Sequence, residues 1–190
     1  MKKKQLGPCV TFFPQPATLV ATADRGGQTN LMMASWAGIV SKTPPTMAVS
    51  LHQGRKTFAN LVESGRFSVN VVPSRLAAEA DYCGLASGKD VDKADLLGLH
   101  LETTERGGVI LAESPLSVEC RFERVVELGD YRLALGEIVE IHADEAAFRQ
   151  DGSLDATVFD PLVYLGGLKE YWSLGSKQAD AYRAGLQFSK

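Results

Sequence analysis

The sequence predicts a mainly β protein, an antiparallel barrel with a few helices. Short runs of β-branched and apolar residues recur along the chain, and residues typical of turns separate them. Residues 116–127 and 131–142 are the longest such runs, and Leu128-Gly129-Asp130 joins them as the turn of an antiparallel hairpin. Apolar residues at helical spacing are confined to short segments, so strands must supply most of the core.

Four short strands are predicted in the first half of the chain, at residues 17–23, 29–33, 38–41 and 46–51. Asp24-Arg25-Gly26-Gly27 separates the first two and favours a hairpin turn, because glycine adopts the conformations that such turns need. Thr43-Pro44-Pro45 separates the last two, and its prolines exclude a helix there.

Helical spacing of apolar residues first appears at residues 57–64. Thr57 is suited to cap the start of this helix, and Gly65 is suited to end it. Residues 67–71 then alternate strictly between apolar and polar side chains, which predicts a strand. Further along we expect a helix at 75–82, a polar loop at 84–95, a strand at 163–165 and a helix at 178–184.

Length and charge are those of a single globular domain over residues 1–190. A chain of 190 residues can bury one sizeable core and is short for two domains with a linker. The net charge of −3 argues against nucleic acid or an anionic membrane as a partner. No apolar run is long enough to cross a bilayer. We therefore expect neither a nucleic-acid partner nor a membrane partner.

The cysteine and histidine pattern predicts neither a disulfide nor a metal site. The three cysteines form neither an even set nor a Cys-x-x-Cys pair, and the three histidines lie far apart. Lys2-Lys3-Lys4 resembles the start of a secretory signal, but Gly7, Pro8 and Pro14 interrupt the apolar run that would have to follow. A reducing, cytoplasmic setting is therefore expected.

The segment from Ser50 to Thr57 combines the features of an anion site. It follows a strand, turns at Gly54 and enters the predicted helix at Thr57. A helix start attracts phosphate through its unpaired N–H groups and its dipole, and here Arg55 adds a bidentate donor and Lys56 a point charge. The alternative is a capped surface helix with two solvated cations, since basic pairs before helices are common.

The segment from Asn30 to Gly38 is suited to a flat ring. Its strand breaks into Ala34-Ser35-Trp36, where small side chains allow a ring or a sugar chain to approach the backbone amides. Asn30 offers both a donor and an acceptor to the edge of a heterocycle. Alternatively, Trp36 is a core residue and Ser35 forms the turn, because tryptophan is usually well buried.

Short motifs follow one another in a defined order over roughly residues 15–142. They are Asn30…Ala34-Ser35-Trp36, Val40-Ser41…Pro44-Pro45, Val49-Ser50-Leu51, Arg55-Lys56-Thr57…Asn60, Gly65-Arg66-Phe67-Ser68-Val69-Asn70-Val71, Cys83-Gly84…Ser87-Gly88…Val91-Asp92-Lys93, Gly98-Leu99, Val118-Glu119-Cys120 and Gly136-Glu137-Ile138. Each motif is weak, but the ordered set resembles the flavin reductase-like FMN-binding split-barrel family, and the flavoredoxins within it. The family usually has an aromatic residue after the Asp-Lys pair, where this chain has Ala94.

The resemblance implies an antiparallel split β-barrel that binds FMN and works as a homodimer. The flavin would be lined, largely through backbone groups, by Asn30, Met33, Ala34, Ser35 and Trp36. The ribityl chain and the isoalloxazine would lie beside Ser50, Leu51 and His52, and the phosphate would be held by Arg55, Lys56 and Thr57. A loop with Cys83, Ser87, Gly88 and Lys93, from the same chain or from the partner subunit, would close over the cofactor. An aromatic from the tail would cover the ring or gate the nicotinamide, the candidates being Tyr164, Tyr171 and Trp172.

Two of these assignments have plain structural alternatives. The three tail aromatics could simply pack against the barrel, because core roles are commoner than stacking roles. Cys83 could be a redox thiol or a buried structural cysteine, and the sequence offers it no resolving partner.

The predicted function is that of an FMN-binding oxidoreductase reduced by NADH or NADPH. The chain carries no convincing catalytic triad or carboxylate pair, as expected where a cofactor supplies the chemistry. Gly-x-Gly-x-x-Gly after a strand is absent, so the donor would bind transiently in the flavin cleft. Two alternatives stay open: an electron carrier whose FMN serves a redox protein partner, and a flavin-binding domain without turnover.

Overall fold

The computed structural model describes residues 2–10 and 13–188, and most of the regular structure within them is β. The strands are β1 (Pro14–Pro16), β2 (Thr18–Ala23), β3 (Thr29–Ala34), β4 (Ala37–Lys42), β5 (Pro45–His52), β6 (Arg66–Val71), β7 (Leu101–Thr103), β8 (Val109–Leu111), β9 (Leu116–Leu128), β10 (Tyr131–Ala143), β11 (Val163–Leu165) and β12 (Glu170–Trp172). The helices are α1 (Lys56–Ser64), α2 (Ala77–Leu85), α3 (Lys93–Leu97) and α4 (Ala156–Phe159), and 3₁₀ turns lie at Ser74–Leu76, Glu145–Ala147 and Ala184–Phe188.

Seven strands form one antiparallel sheet in the order β3-β2-β6-β9-β10-β5-β4. β3 and β4 occupy its opposite edges, yet only Ser35 and Trp36 separate them in the chain. Such a connection spans about 11 Å, whereas a flat sheet of seven strands is about 29 Å wide. The sheet must therefore curl until its edges approach each other. The result is an antiparallel barrel split between β3 and β4, which confirms the predicted fold class.

The hairpin of β7 and β8 covers the polar face of β6. Ser68 Oγ donates to the Val109 carbonyl at 2.5 Å, and the Leu111 N–H donates to Asn70 Oδ1 at 3.0 Å. The alternation predicted for this strand is present, but both of its faces are buried, because the polar side chains bond to the covering hairpin.

Two apolar cores position the helices that line the site. Val20 of β2 faces the first core, inside the barrel, together with Leu61 of α1. Leu19 and Ala21 of the same strand face the second core, together with Cys83 of α2. The alternation of β2 therefore places α1 against the barrel interior and α2 against its outer surface.

The predicted strands and the two predicted hairpins occur at or within a few residues of their expected positions. Gly65 ends α1 in the left-handed conformation, with φ of 69°, as expected. The N-cap prediction for Thr57 is wrong: Arg55 is the cap residue, and Thr57 lies inside the first turn. The reason is tertiary, because a buried asparagine side chain binds the threonine hydroxyl.

Two further local predictions are wrong. The tail contains no α-helix at 178–184; within the described residues it has only the 3₁₀ turn at Ala184–Phe188. Its side chains are exposed, so no packed face stabilises a short helix. The predicted loop at 84–95 is shorter than expected, because α2 extends to Leu85 and α3 begins at Lys93. No helix in the described part of the chain is long and apolar enough to cross a membrane.

Candidate functional site

A cleft of about 370 Å³ opens where the barrel is split, and we call it the ring cleft. It is lined by Met32, Met33, Ala34, Ser35, Trp36, Ser50, Leu51, His52, Arg55, Gly84, Tyr131, Tyr164 and Tyr171. Aromatic rings from separate parts of the chain stand around it. The centroids of Trp36 and Tyr131 are 5.1 Å apart, and those of Tyr164 and Tyr171 are 5.3 Å apart. Such walls are suited to a flat heterocycle.

A second pocket, of about 250 Å³, adjoins the ring cleft at the start of α1, and we call it the cationic pocket. It is lined by Asn30, Met32, His52, Gly54, Arg55, Lys56, Thr57, Ala86, Ser87, Gly88, Lys89 and Lys93. Four of these residues are arginine or lysine, and none carries a carboxylate. Met32, His52 and Arg55 line both cavities. The two therefore form one groove with an aromatic end and a cationic end.

The start of α1 strengthens the cationic pocket. Arg55 is the N-cap residue, and no side chain caps the first turn, so backbone N–H groups remain available to a ligand. The positive end of the helix dipole lies at the same place. Lys56 Nζ donates to Gln28 Oε1 at 2.9 Å, which fixes the position of its ammonium group. This arrangement is able to bind a phosphate monoester.

A buried hydrogen bond joins two walls of the cationic pocket. Asn30 Nδ2 donates to Thr57 Oγ1 at 2.7 Å, and both residues are almost fully buried. The hydroxyl accepts in this bond, so its own proton remains available to an anion. Gly88 packs so closely that a β-carbon there would lie 1.8 Å from Asn30 Oδ1. Glycine at this position therefore allows the loop after α2 to close against β3.

Lys93 is 3% exposed and still lines the cationic pocket. Its Nζ donates to the carbonyls of Cys83 at 3.1 Å and Ala86 at 3.3 Å, at the end of α2. Burial lowers the pKa of this ammonium group; Cys83 opposes that effect, and Arg55 and Lys56 add to it. A bound anion would favour the charged form. Lys93 thus ties the loop to α2 and adds a cation to the pocket.

The structure brings most of the predicted site residues into this groove. The exceptions are Cys83 and Trp172, whose side chains line neither cavity. The Cys83 side chain is buried in the core beneath α2, and only its carbonyl reaches Lys93. Trp172 is 54% exposed, and its Nε1 donates to Glu170 Oε2 at 2.9 Å.

Burial makes two of the thiols harder to ionise than an ordinary cysteine. It raises the pKa of Cys83 to about 11, an effect that Lys93 partly offsets. It raises the pKa of Cys120 to about 12. A thiol that stays protonated is a poor nucleophile, so these positions favour the structural alternative for Cys83 over a redox role.

Sequence reasoning missed several lining residues, among them Tyr131 and Gly84. Tyr131 reaches the ring cleft because β10 pairs with β5 in a register that places it opposite His52, with ring centroids 5.7 Å apart. No local motif reveals that pairing. Gly84 does lie within a recognised motif, and a β-carbon there would be 3.4 Å from Met33 Cβ. The signal available in the sequence was the place of this glycine in the motif Cys83-Gly84.

Comparison with known proteins identifies relatives across most of the chain. The flavin reductase-like domain family matches residues 10–173. Among solved structures, the flavoredoxin of Desulfovibrio vulgaris (Miyazaki F) is 34% identical, with a TM-score of 0.91. That alignment covers 97% of this chain and 100% of the flavoredoxin chain.

Two curated proteins match shorter segments. An uncharacterised protein of Aeropyrum pernix is 33% identical over 150 residues, which are 78% of this chain and 56% of that relative. The chain therefore spans little more than half the length of this relative. The flavin reductase (NADH) of Kitasatospora aureofaciens is 29% identical over 128 residues, which are 66% of this chain and 64% of that protein. From the extent of the family match, the chain belongs to the flavin reductase-like domain family.

Proposed function

We propose that the chain binds FMN along the groove and works as an oxidoreductase of the flavin reductase or flavoredoxin type. The observation that carries this proposal is the continuity of the ring cleft with the cationic pocket through Met32, His52 and Arg55. FMN has the same two ends, an aromatic ring system and a phosphate monoester, joined by a polar chain. Membership of the flavin reductase-like family supports a flavin as the ligand.

The residues of the groove fit FMN from end to end. The isoalloxazine fits the ring cleft, where Ala34 and Ser35 leave the backbone open to close approach. The ribityl hydroxyls fit beside His52, where the cavities join. The phosphate fits the cationic pocket, with Arg55 and Lys56 at the uncapped start of α1. The cavities of about 370 and 250 Å³ are together large enough for a small cofactor.

The chain's own contribution is to bind, orient and shield the cofactor. When bound, FMN would supply the redox chemistry by accepting a hydride and returning electrons singly or in pairs. Arg55, Lys56 and the α1 N–H groups anchor the phosphate, which fixes the position of the ring. The aromatic side chains around the ring cleft limit the access of water to the ring.

NADH or NADPH is the electron donor in this proposal. The nicotinamide would stack in the ring cleft, since the sequence has no Gly-x-Gly-x-x-Gly motif for a separate dinucleotide site. The similarity to a flavin reductase (NADH) supports a nicotinamide donor.

The second candidate is an electron carrier in which tightly held FMN serves a redox protein partner. The similarity to a flavoredoxin over nearly the whole chain favours it. Slow oxidation of NADH and NADPH, combined with fast reduction by a protein donor, would support the carrier. Rapid oxidation of either nucleotide with added free flavin would support the reductase.

The test of the proposal is the uptake and reduction of flavin. We expect the flavin-free chain to bind one FMN with a change in the visible spectrum, and NADH or NADPH to bleach the bound flavin under anaerobic conditions. A chain that stays colourless and takes up no FMN on titration would refute both candidates.

We also propose that the chain works as a homodimer. β4 forms an edge of the main sheet, and its Ile39 and Val40 are 69% and 59% exposed. Val126 and Leu128, on the β9 end of the long hairpin, are also exposed. An apolar edge strand tends to pair with another chain, and two-fold association of identical chains is the commonest form.

The dimer is tested with two substitutions of equal exposure. Val40→Asp places a charge on the sheet edge and should shift the sedimentation of micromolar protein from dimer to monomer. Leu96→Asp on α3, where the leucine is also 59% exposed, should leave the dimer intact. A monomeric wild type, or the same sedimentation for both variants, would exclude this interface.

A cytoplasmic location belongs to the same proposal. Its support is the cysteine pattern, an odd set of three in which Cys83 and Cys120 are buried and form no disulfide. Fractionation of cells that express the tagged chain tests it, and recovery from a compartment outside the cytoplasm would contradict it. The absence of nucleic-acid and membrane partners stays a prediction.

A further inference from the structure

The hairpin of β11 and β12 is tied to α2 by a hydrogen bond beside the ring cleft. The Tyr171 hydroxyl, on β12, donates to Asp81 Oδ1, on α2, at 3.0 Å. Both elements line the cleft, because Tyr171 and Gly84 of α2 are part of its wall. The bond therefore connects two sides of the cleft that are 90 residues apart in the sequence.

The same bond restrains a second tyrosine. Tyr164 and Tyr171 are directly opposed across the β11–β12 pair, and their rings meet at 42° with centroids 5.3 Å apart. Both side chains line the ring cleft. Because cross-strand neighbours pack against each other, a fixed Tyr171 limits the positions open to Tyr164.

The Tyr171 hydroxyl donates its hydrogen bond from a partly buried position. The ring packs against the core beneath α2 and is only partly exposed. Burial, and then the bond to the Asp81 carboxylate, raise the pKa of Tyr171 far above its ordinary value, with a smaller contribution from Tyr164. The phenol therefore keeps its proton at neutral pH and donates it to the Asp81 carboxyl group.

We propose that Asp81 and Tyr171 form a latch that holds the two tyrosines as a fixed wall of the ring cleft. This wall sets how closely a second flat ring packs beside the flavin, and so selects a planar donor or acceptor. Asp81 and Tyr171 are positioning residues in this account, and the tyrosine rings provide the contact surface. The inference rests on the proposed function, since it needs a flavin in the cleft.

The latch itself is tested by hydrogen exchange in the flavin-free chain. Tyr171→Phe and Asp81→Ala each remove the bond and should speed amide exchange in β11 and β12 about tenfold. This factor corresponds to the low end of the free energy of a hydrogen bond to a charged group, because Asp81 is exposed. Asp81→Asn keeps an oxygen acceptor and should stay within threefold of wild type. Trp172→Phe, a neighbouring change outside the cleft, should have no effect. Unchanged exchange in the first two variants would overturn the latch.

The effect on the second ring is tested in the FMN-loaded chain by anaerobic stopped-flow reduction with NADH or NADPH. Tyr171→Phe and Asp81→Ala should raise the half-saturating donor concentration about tenfold, while the limiting reduction rate stays within twofold. The double variant should match the single variants, because all three lack the same bond. A half-saturating concentration equal to that of wild type, or additive losses in the double variant, would overturn the positioning role.

Failure of the latch and failure of the proposed function give different results. A wild-type chain that takes up no FMN would refute the proposed function and the role of the wall with it. A wild-type chain that takes up and reduces FMN normally, with variants that behave like wild type, would refute only the latch.

Discussion

Replacing Arg55 and Lys56 with alanine should remove most of the affinity for FMN and affect riboflavin binding much less. Both side chains line the cationic pocket at the uncapped start of α1. A hydrogen bond to a charged group contributes about 1.5–3 kcal/mol net, and the exposure of Arg55 favours the low end. Each single substitution should therefore weaken FMN binding about tenfold. In the double variant the affinity for FMN should fall by between about tenfold and 100-fold. The loss is limited because Lys93 and the helix dipole still attract the phosphate.

The assay is an equilibrium titration of the flavin-free chain followed by flavin fluorescence. Riboflavin carries the same ring and ribityl chain without the phosphate, so the ratio of the two dissociation constants isolates the cationic pocket. Lys42→Ala removes a lysine of β4 that does not line the pocket and serves as the control. The phosphate assignment is wrong if the double variant keeps the wild-type affinity for FMN, or if riboflavin binding falls equally.

Three further predictions concern the loop after α2 and the buried thiols. Gly88→Ala places a β-carbon 1.8 Å from Asn30 Oδ1, so it should weaken FMN binding at least tenfold and lower the melting temperature. Gly38→Ala, in open space, should change neither, and equal behaviour of the two variants would contradict the close approach. Cys83 and Cys120 should resist thiol reagents in the folded chain at pH 8, as read by peptide mass spectrometry, and rapid labelling would contradict their burial. Their raised pKa values, about 11 and 12 against an ordinary 9.0, also predict a free energy of unfolding that falls as the pH rises above about 9. The sign follows because the unfolded thiols then lose protons that the folded ones keep, and an unchanged denaturant midpoint between pH 8 and pH 10.5 would argue against it.

The parts of the fold that depend on near neighbours could be predicted from the sequence. Gly65 ends α1 because only glycine readily adopts the left-handed conformation found there. The turn at Asp24-Arg25-Gly26-Gly27 joins β2 to β3 as expected, with the Gly27 N–H donating to the Asp24 carbonyl. In both cases a few consecutive residues contain the whole physical cause.

Predictions were wrong or incomplete where a distant side chain decides the outcome. Thr57 has the residue type of an N-cap, but Asn30 binds its hydroxyl and draws it into the first turn. The strand predicted at residues 67–71 is present, but its pattern does not show that Ser68 and Asn70 lie beneath the β7–β8 hairpin and bond to β8. Neither contact is visible in a local pattern, because the partners are tens of residues away.

The candidate site shows the same difference between features with a local cause and features with a distant one. The physics of a helix start made Arg55 and Lys56 candidates for an anion site, with a solvated surface helix as the alternative, and the structure places both in a cationic pocket. Tyr131 and the bond between Asp81 and Tyr171 depend on strand register and on the packing of the tail hairpin against α2. Such contacts can be identified only in the folded chain, because no local sequence pattern specifies them.

The most direct test of the central claim is a crystal structure of the chain with FMN bound. We predict the isoalloxazine in the ring cleft beside Trp36 and the phosphate within hydrogen-bond distance of Arg55 and the first N–H groups of α1. An FMN whose phosphate lies away from α1, or whose ring lies outside the ring cleft, would contradict the account.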